Sequence, residues 1–267
     1  MIEKMIRTRR LAVTALALLA LGCAGRPEAD LVVIAGQSNA LGYGLSGADL
    51  PAEFRERDPQ AMIWRDSRFQ VLEPGRNTGS PNRPGAWGPE AGFARTWRAA
   101  RPDRPLYLVK LARGSTSLAP SEGLDWSPAS KELFAETSAE VQAAKAALAA
   151  RGLQPRIAAV VWIQGEADAM DASAARAYRA NLTALIKAMR QGWREPAAPV
   201  VLARIPDFGA HASEVRAAQA AVDNADTLTF SVDAQGLPMQ ADGLHIAAAG
   251  QVRLGQALAE AVLPMIR

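Results

Sequence analysis

One cysteine, Cys23, is all that the 267 residues contain, so no disulfide can form within the chain and the fold has to rest on packing. Histidine is almost as scarce. His211 and His245 are the only two, and any imidazole chemistry must use one of them. Aromatic residues make up 6% and charged residues 21%, against 49% apolar, which excludes a disordered polyelectrolyte and supplies ample material for a core. A membrane-spanning helix needs roughly 20 apolar residues in a row, and the longest such run, residues 11–21, is too short. A surplus of one charge is also missing, although a pI near 9.3 suggests otherwise. Residues 1–22 hold Lys4, Arg7, Arg9 and Arg10 against Glu3. Without those four bases and one acid, the 30 basic and 27 acidic residues become 26 and 26. A neutral remainder has nothing to spare for a phosphate backbone, so no nucleic-acid partner is expected.

The basic start, the short apolar stretch and Gly22-Cys23 together resemble a bacterial lipoprotein signal, in which the cysteine is lipidated and becomes the new N-terminus. This implies an export signal over 1–22, a short linker over 23–29 and a single domain over 30–267. It also implies a periplasmic or outer-membrane, cell-surface lipoprotein (otherwise a secreted protein) that meets the membrane only through a lipid on Cys23.

Beyond the linker, apolar runs alternate with helical patterns to the end of the chain. Strands are predicted at 31–35, 106–111, 157–163, 200–205 and 228–232. Helices are predicted at 89–100, 131–150, 172–191, 213–223 and 247–265, Ala-rich and with apolar residues three to four apart. Strands alternating with helices specify an α/β fold: a three-layer α/β/α sandwich around a mainly parallel, five-stranded sheet. Residues 49–88 break the alternation with five prolines, and within them 61–64 and 69–72 can pair as a hairpin. This excursion leaves from beside Ser38, so it is expected to wall a substrate cleft, with Trp64 and Trp87 either stacking on a sugar or anchoring it from within.

Four motifs fall at the carboxyl ends of predicted strands, the edge where open α/β sheets bind ligands. Gly36-Gln37-Ser38-Asn39 closes the first strand and offers Ser38 as a nucleophile. Asp242-Gly-Leu-His245 precedes the last helix, and a carboxylate three residues ahead of an imidazole can curl back to Nδ1 and leave Nε2 free. Gln164-Gly165-Glu166 leaves the third strand. Its Gln164 amide suits an oxyanion hole, and Glu166 can orient His245, hold a substrate hydroxyl or cap a helix. Gly114-Ser115-Thr116-Ser117 follows the second strand, where Gly114 admits a close backbone N–H. Asp168 reads as a helix cap and His211 as a surface residue.

In this order the blocks resemble the SGNH-type hydrolases, and within them the sialate O-acetylesterase and acetylxylan-esterase-like branch, whose members carry Gly-Gln-Ser-Asn, Gly-Gly-Thr-Ser-like, Gln-Gly-Glu and Asp-x-x-His blocks. Gly88-Pro89-Glu90 matches a further element of that branch, while Ser115 replaces the usual second glycine. The resemblance implies the flavodoxin-like SGNH fold and a serine esterase that removes O-acetyl groups from a carbohydrate through an acyl-enzyme, with no cofactor and no metal. It assigns Ser38 as nucleophile, His245 as base and Asp242 as orienting acid, with Glu166 as the alternative acid. The oxyanion would be received by the N–H of Ser38, by Gly114 or Ser115 and by the Gln164 amide, and Asn39, Ser115 and Glu90 would bind substrate. Two other readings keep parts of this: an acyltransferase, lipase or thioesterase with the same triad, or a surface glycan-binding lipoprotein without turnover.

Overall fold

The computed structural model describes residues 25–266, so Cys23 and the 1–22 segment lie outside the described residues. Strand β1, Glu28–Gly36, runs through the middle of the sheet and is buried from Ala29 onward. Its side chains alternate between two cores: Leu31, Val33 and Ala35 face one, Val32 and Ile34 the other. A strand buried on both faces has to be apolar at every position, which is why this run lacks the polar alternation of a half-exposed strand.

The sheet has seven strands in the order β3-β2-β4-β1-β5-β6-β7, where β2 is Ala61–Arg65, β3 Arg68–Val71, β4 Leu106–Ala112, β5 Gln154–Ile163, β6 Val200–Arg204 and β7 Thr229–Asp233. Every pairing is parallel except β2 with β3. After the short helix α1, Ser38–Leu41, come α2, Glu90–Ala100, α3, Leu133–Ala150, α4, Ala172–Gly192, α5, Ala212–Ala225, and α6, Ala248–Val262. Helices α3, α4 and α5 cover the Leu31 face through Val141, Leu182 and Val215, while α2 and α6 cover the Ile34 face through Trp97 and Leu258. This is the three-layer sandwich that the alternation specified. Truncating one of these fully buried leucines to alanine costs about 3 kcal/mol.

The expected strand count was too low. The 61–72 hairpin forms and then joins the sheet, pairing Ala61, Met62 and Ile63 in parallel with Leu106, Tyr107 and Leu108. Its turn places Asp66 and Ser67 at φ 51 and 56, the left-handed pair that a two-residue hairpin turn requires. Ile63 enters one core and Trp64 with Phe69 the other, so the hairpin extends both. Such a short run with arginines at its ends has no local feature that names its neighbour in the sheet. The rest of the excursion packs through Leu50, Phe54 and Trp87 against Ala91 and Val252, a third apolar cluster.

Candidate active site

The register brings the motifs together. Gly36, the last residue of β1, lies opposite Ala112 of β4 and Ile163 of β5, so the segments that follow all three strands emerge at one level of the carboxyl edge. Gly36 has φ +147, and a Cβ there would stand 1.9 Å from the Ile163 carbonyl oxygen, which accepts the Gln37 N–H at 2.9 Å. Only glycine lets the chain turn this tightly over β5. The turn opens α1, and Ser38 is its first residue. The amides of a helix's first turn have no carbonyl to receive them, so the Ser38 N–H is available beside its own hydroxyl.

Ser38 lines a cleft of about 420 Å³ together with Gln37, Tyr43, Gly114, Ser115, Glu166, Ala167, Met170, Phe208, Leu244 and His245. Its hydroxyl makes no hydrogen bond with a described residue and stands open to a reacting group. Gly114 is packed close, since a Cβ there would lie 3.8 Å from that of Ser38. Ser115 follows with φ 57. Neither of their N–H groups has a partner among the described residues, so both can serve an oxyanion next to the serine.

Asp242 and His245 form the pair expected from their spacing. His245 Nδ1 is 2.6 Å from Asp242 Oδ2, and Asp242 Oδ1 accepts the N–H groups of His245 at 2.9 Å and Leu244 at 3.0 Å. These bonds hold the Asp242 carboxyl at a pKa of about 2, with the His245 backbone N–H contributing most. With Nδ1 so engaged, Nε2 is the nitrogen left for the substrate side. The imidazole is also stacked on Tyr43, ring centroids 4.5 Å apart, and Arg83 lies 4.1 Å from the Tyr43 ring centroid. Sequence reasoning passed over Tyr43, which has no motif signal beyond closely following Ser38.

Three of the expected site residues sit elsewhere. Asn39 is buried and does not touch the cleft. Its Oδ1 accepts the Ile246 N–H at 2.9 Å, and its Nδ2 donates to Leu244 O at 3.3 Å and Glu166 Oε1 at 2.6 Å. Asn39 thus clasps the peptide groups on both sides of His245 and ties that loop to the nucleophile's helix. Gln164 is fully buried, and its Nε2 hydrogens are both committed, to Thr116 O at 3.1 Å and Asp168 Oδ2 at 2.6 Å. An amide with no hydrogen to spare cannot receive an oxyanion, so that expectation is corrected: Gln164 braces the loop behind the cleft. Glu90 is also fully buried, 2.6 Å from Lys110 Nζ, which donates to Leu41 O at 3.2 Å. Burial lowers the Lys110 pKa and its partner Glu90 opposes that. The pair supports α1 from beneath, and neither residue lines the cleft. Gln164 follows the end of β5, Asn39 lies in α1 and Glu90 opens α2, and the sequence pattern was silent on which way each side chain turns.

Glu166 does reach the cleft. It does not hold His245, whose Nδ1 belongs to Asp242. Its Oε1 accepts from Asn39, while Oε2 is buried without a partner, and burial raises its pKa. Asp168 is an anchor and not a helix cap: its carboxylate accepts the N–H of Leu118 at 2.8 Å and of Ala119 at 3.0 Å, while Asp171 caps α4. The far wall of the cleft comes from Met170 and Phe208, and Trp64 and Trp87 are buried anchors bonded to Glu140 and Ser46 O. No residue of the excursion lines this cleft, and Arg83 approaches it from over Tyr43, so the expected role as a wall of this cleft is corrected too. His211 sits before α5, 3.4 Å from Glu214. Among the described residues no group of three or more His, Cys, Asp or Glu side chains is gathered as a metal site requires.

Comparison with known proteins identifies a family over nearly the whole chain. The model of the family described as carbohydrate esterase, sialic acid-specific acetylesterase, matches residues 28–264. A probable carbohydrate esterase of Arabidopsis thaliana is 38% identical over 107 residues, a match spanning 40% of this chain and 40% of that relative's length. Among solved structures, an Arabidopsis thaliana protein superposes with a TM-score of 0.78 at 24% identity, covering 90% of this chain and 100% of that one. NanS superposes at 0.69 and 18%, covering 90% and 98%, and a carbohydrate acetylesterase from Xanthomonas citri at 0.63 and 17%, covering 86% and 54%. At these identities the superpositions establish the fold.

Proposed function

Since the chain belongs to the sialic acid-specific acetylesterase family of carbohydrate esterases, we propose that it is a serine esterase that releases acetate from an O-acetylated carbohydrate. The observation that carries this reading is the Asp242–His245 pair at 2.6 Å in the same cleft as an open serine hydroxyl flanked by uncommitted backbone amides. Ser38 Oγ attacks the acetyl carbonyl while His245 Nε2 takes its proton, and the negative charge is received by the N–H of Ser38 and those of Gly114 and Ser115. Each such donor lowers the barrier by about 3 kcal/mol. Asp242 stabilises the imidazolium, which then hands its proton to the departing sugar oxygen and leaves an acetyl-serine. Water attacks that ester with His245 again as base, regenerating Ser38. The hydrogen bond between Ser38 and His245 is not yet closed here, and such bonds commonly tighten when substrate arrives.

The cleft volume falls within the range of small-molecule sites, and its mixture of Tyr43, Phe208, Met170 and Leu244 around polar groups suits a sugar, which presents apolar faces and hydroxyl edges. Export by the 1–22 segment with lipidation at Cys23 belongs to the same proposal, because it would bring the enzyme to extracytoplasmic glycans; loss of labelled fatty acid in Cys23→Ala tests it. Among the described residues no helix is long and apolar enough to cross a membrane. The enzymatic reading is tested by p-nitrophenyl acetate hydrolysis and by acetate release from a panel of acetylated glycans, with Ser38→Ala as control. Equal rates for the two proteins would refute it.

A further inference from the structure

Glu166 is the one carboxylate among the residues lining the cleft, and the acyl-transfer steps leave it unused. It is 2% exposed, yet it borders the cleft with Ser38 and His245. Its Oε1 is held by Asn39 at 2.6 Å, which fixes the carboxyl group in place. Its Oε2 is buried and has no hydrogen-bond partner, and none of the residues lining the cleft is a lysine or arginine that could neutralise it. A buried carboxyl oxygen left unmatched costs stability, and in a native protein such a group calls for an explanation.

We propose that Glu166 is the specificity-determining residue for the alcohol half of the ester, with Oε2 bonding a hydroxyl next to the acetylated position, so that the cleft selects acetates of polyols over acetates of simple alcohols. This rests on the esterase reading above. Asp242 already occupies His245 Nδ1, so Glu166 is free of the orienting role. It lines the same cleft as Ser38 and His245, and that cleft must also admit the leaving alcohol and its neighbouring hydroxyls. Burial raises its pKa, and the unpartnered Oε2 is an acceptor for a sugar hydroxyl that the amide nitrogen of a glutamine cannot replace. A site built to bond a hydroxyl rejects the analogue without one far more strongly than an apolar pocket rejects a misfit, because the protein group is then left unpaired.

The test compares two acetates of similar size on the full-length protein: glycerol monoacetate, with free hydroxyls beside the ester, and propyl acetate, with none. The parent should prefer the glycerol ester. Glu166→Leu should reduce kcat/KM for glycerol monoacetate about 30-fold more than for propyl acetate. Glu166→Gln, which keeps a carbonyl oxygen for Asn39, should shift the same ratio about 10-fold, with a melting temperature at or above the parent's. An unchanged ratio in a folded Glu166→Gln would overturn the proposal, as would an equal fall for both esters, which marks a residue acting only through Asn39. A parent that hydrolyses neither ester removes the esterase reading and this inference with it, whereas an active parent with an unaltered ratio removes the inference alone.

Discussion

Two buried carboxylates lie near opposite ends of β1 and are treated in opposite ways. At the strand's start, Asp30 is 2% exposed and surrounded by cations: Arg156 at 2.8 Å, Arg101 at 3.1 Å and Arg104 at 3.5 Å. Beyond its far end, Glu166 is equally buried and has a single amide partner and an orphan oxygen. The first arrangement offsets the desolvation of charge and serves the fold. The second leaves that cost in place, as happens where a site keeps a group in reserve for a ligand. Between them the two acids separate the end of the sheet that is built for stability from the end that is built for chemistry.

Four experiments would break or sharpen that contrast. The largest effect belongs to the reactive end: Ser38→Ala should lower kcat by about 10⁵-fold while leaving the urea unfolding midpoint nearly unchanged. At the stable end, Asp30→Ala leaves three guanidinium groups without their shared partner and should cost about 3 kcal/mol in urea unfolding, with kcat of the folded fraction unaltered. Were that variant as stable as the parent, Asp30 would be no more structural than Glu166. Asn39→Ala releases the clasp on the His245 loop and, with p-nitrophenyl acetate, whose leaving group has no neighbouring hydroxyl for Glu166, should reduce kcat by about 100-fold with little change in KM, since it misplaces the base without touching substrate. A fall confined to KM would move Asn39 into the substrate site.

The smallest effect is one of pH. Asp242 stays ionised down to a pKa of about 2 when folded, against about 4 for a free aspartate. Its depressed pKa therefore contributes stability that is fully present above pH 4 and is lost as the pH falls through 2. Asp242→Asn should be slightly less stable than the parent at neutral pH, and the two unfolding curves should converge near pH 2. A gap that persists in acid would mean that Asp242 stabilises the loop by shape and not by charge.

Much of this is legible in the sequence. The run from Leu31 to Ala35 is short, apolar at every position and rich in β-branched residues, so it reads as a strand covered on both faces. The close spacing of Asp242 and His245 sets their side chains within reach of each other through local geometry alone. The misreadings came from residues whose roles depend on distant partners. Gln164, Asn39 and Glu90 sit at the expected strand ends and helix starts. Each, however, turns inward to a partner far along the chain: Thr116, Leu244 with Ile246, and Lys110. Tyr43 and Phe208 entered the cleft with no local signal at all.

The sequence by itself determined the elements, their order, the parallel sheet and the four strand-end motifs, because hydrophobic periodicity and short-range turn geometry act within a few residues. Only the tertiary structure decided that the hairpin joins the sheet, that Asp242 and not Glu166 holds the histidine, that the Gln164 amide is committed to Thr116 and Asp168, and that one oxygen of Glu166 is left without a partner. Those outcomes turn on which way a side chain points and what meets it there, and packing settles most of that between segments far apart in the chain, such as Ala61 with Leu106 and Asn39 with Glu166.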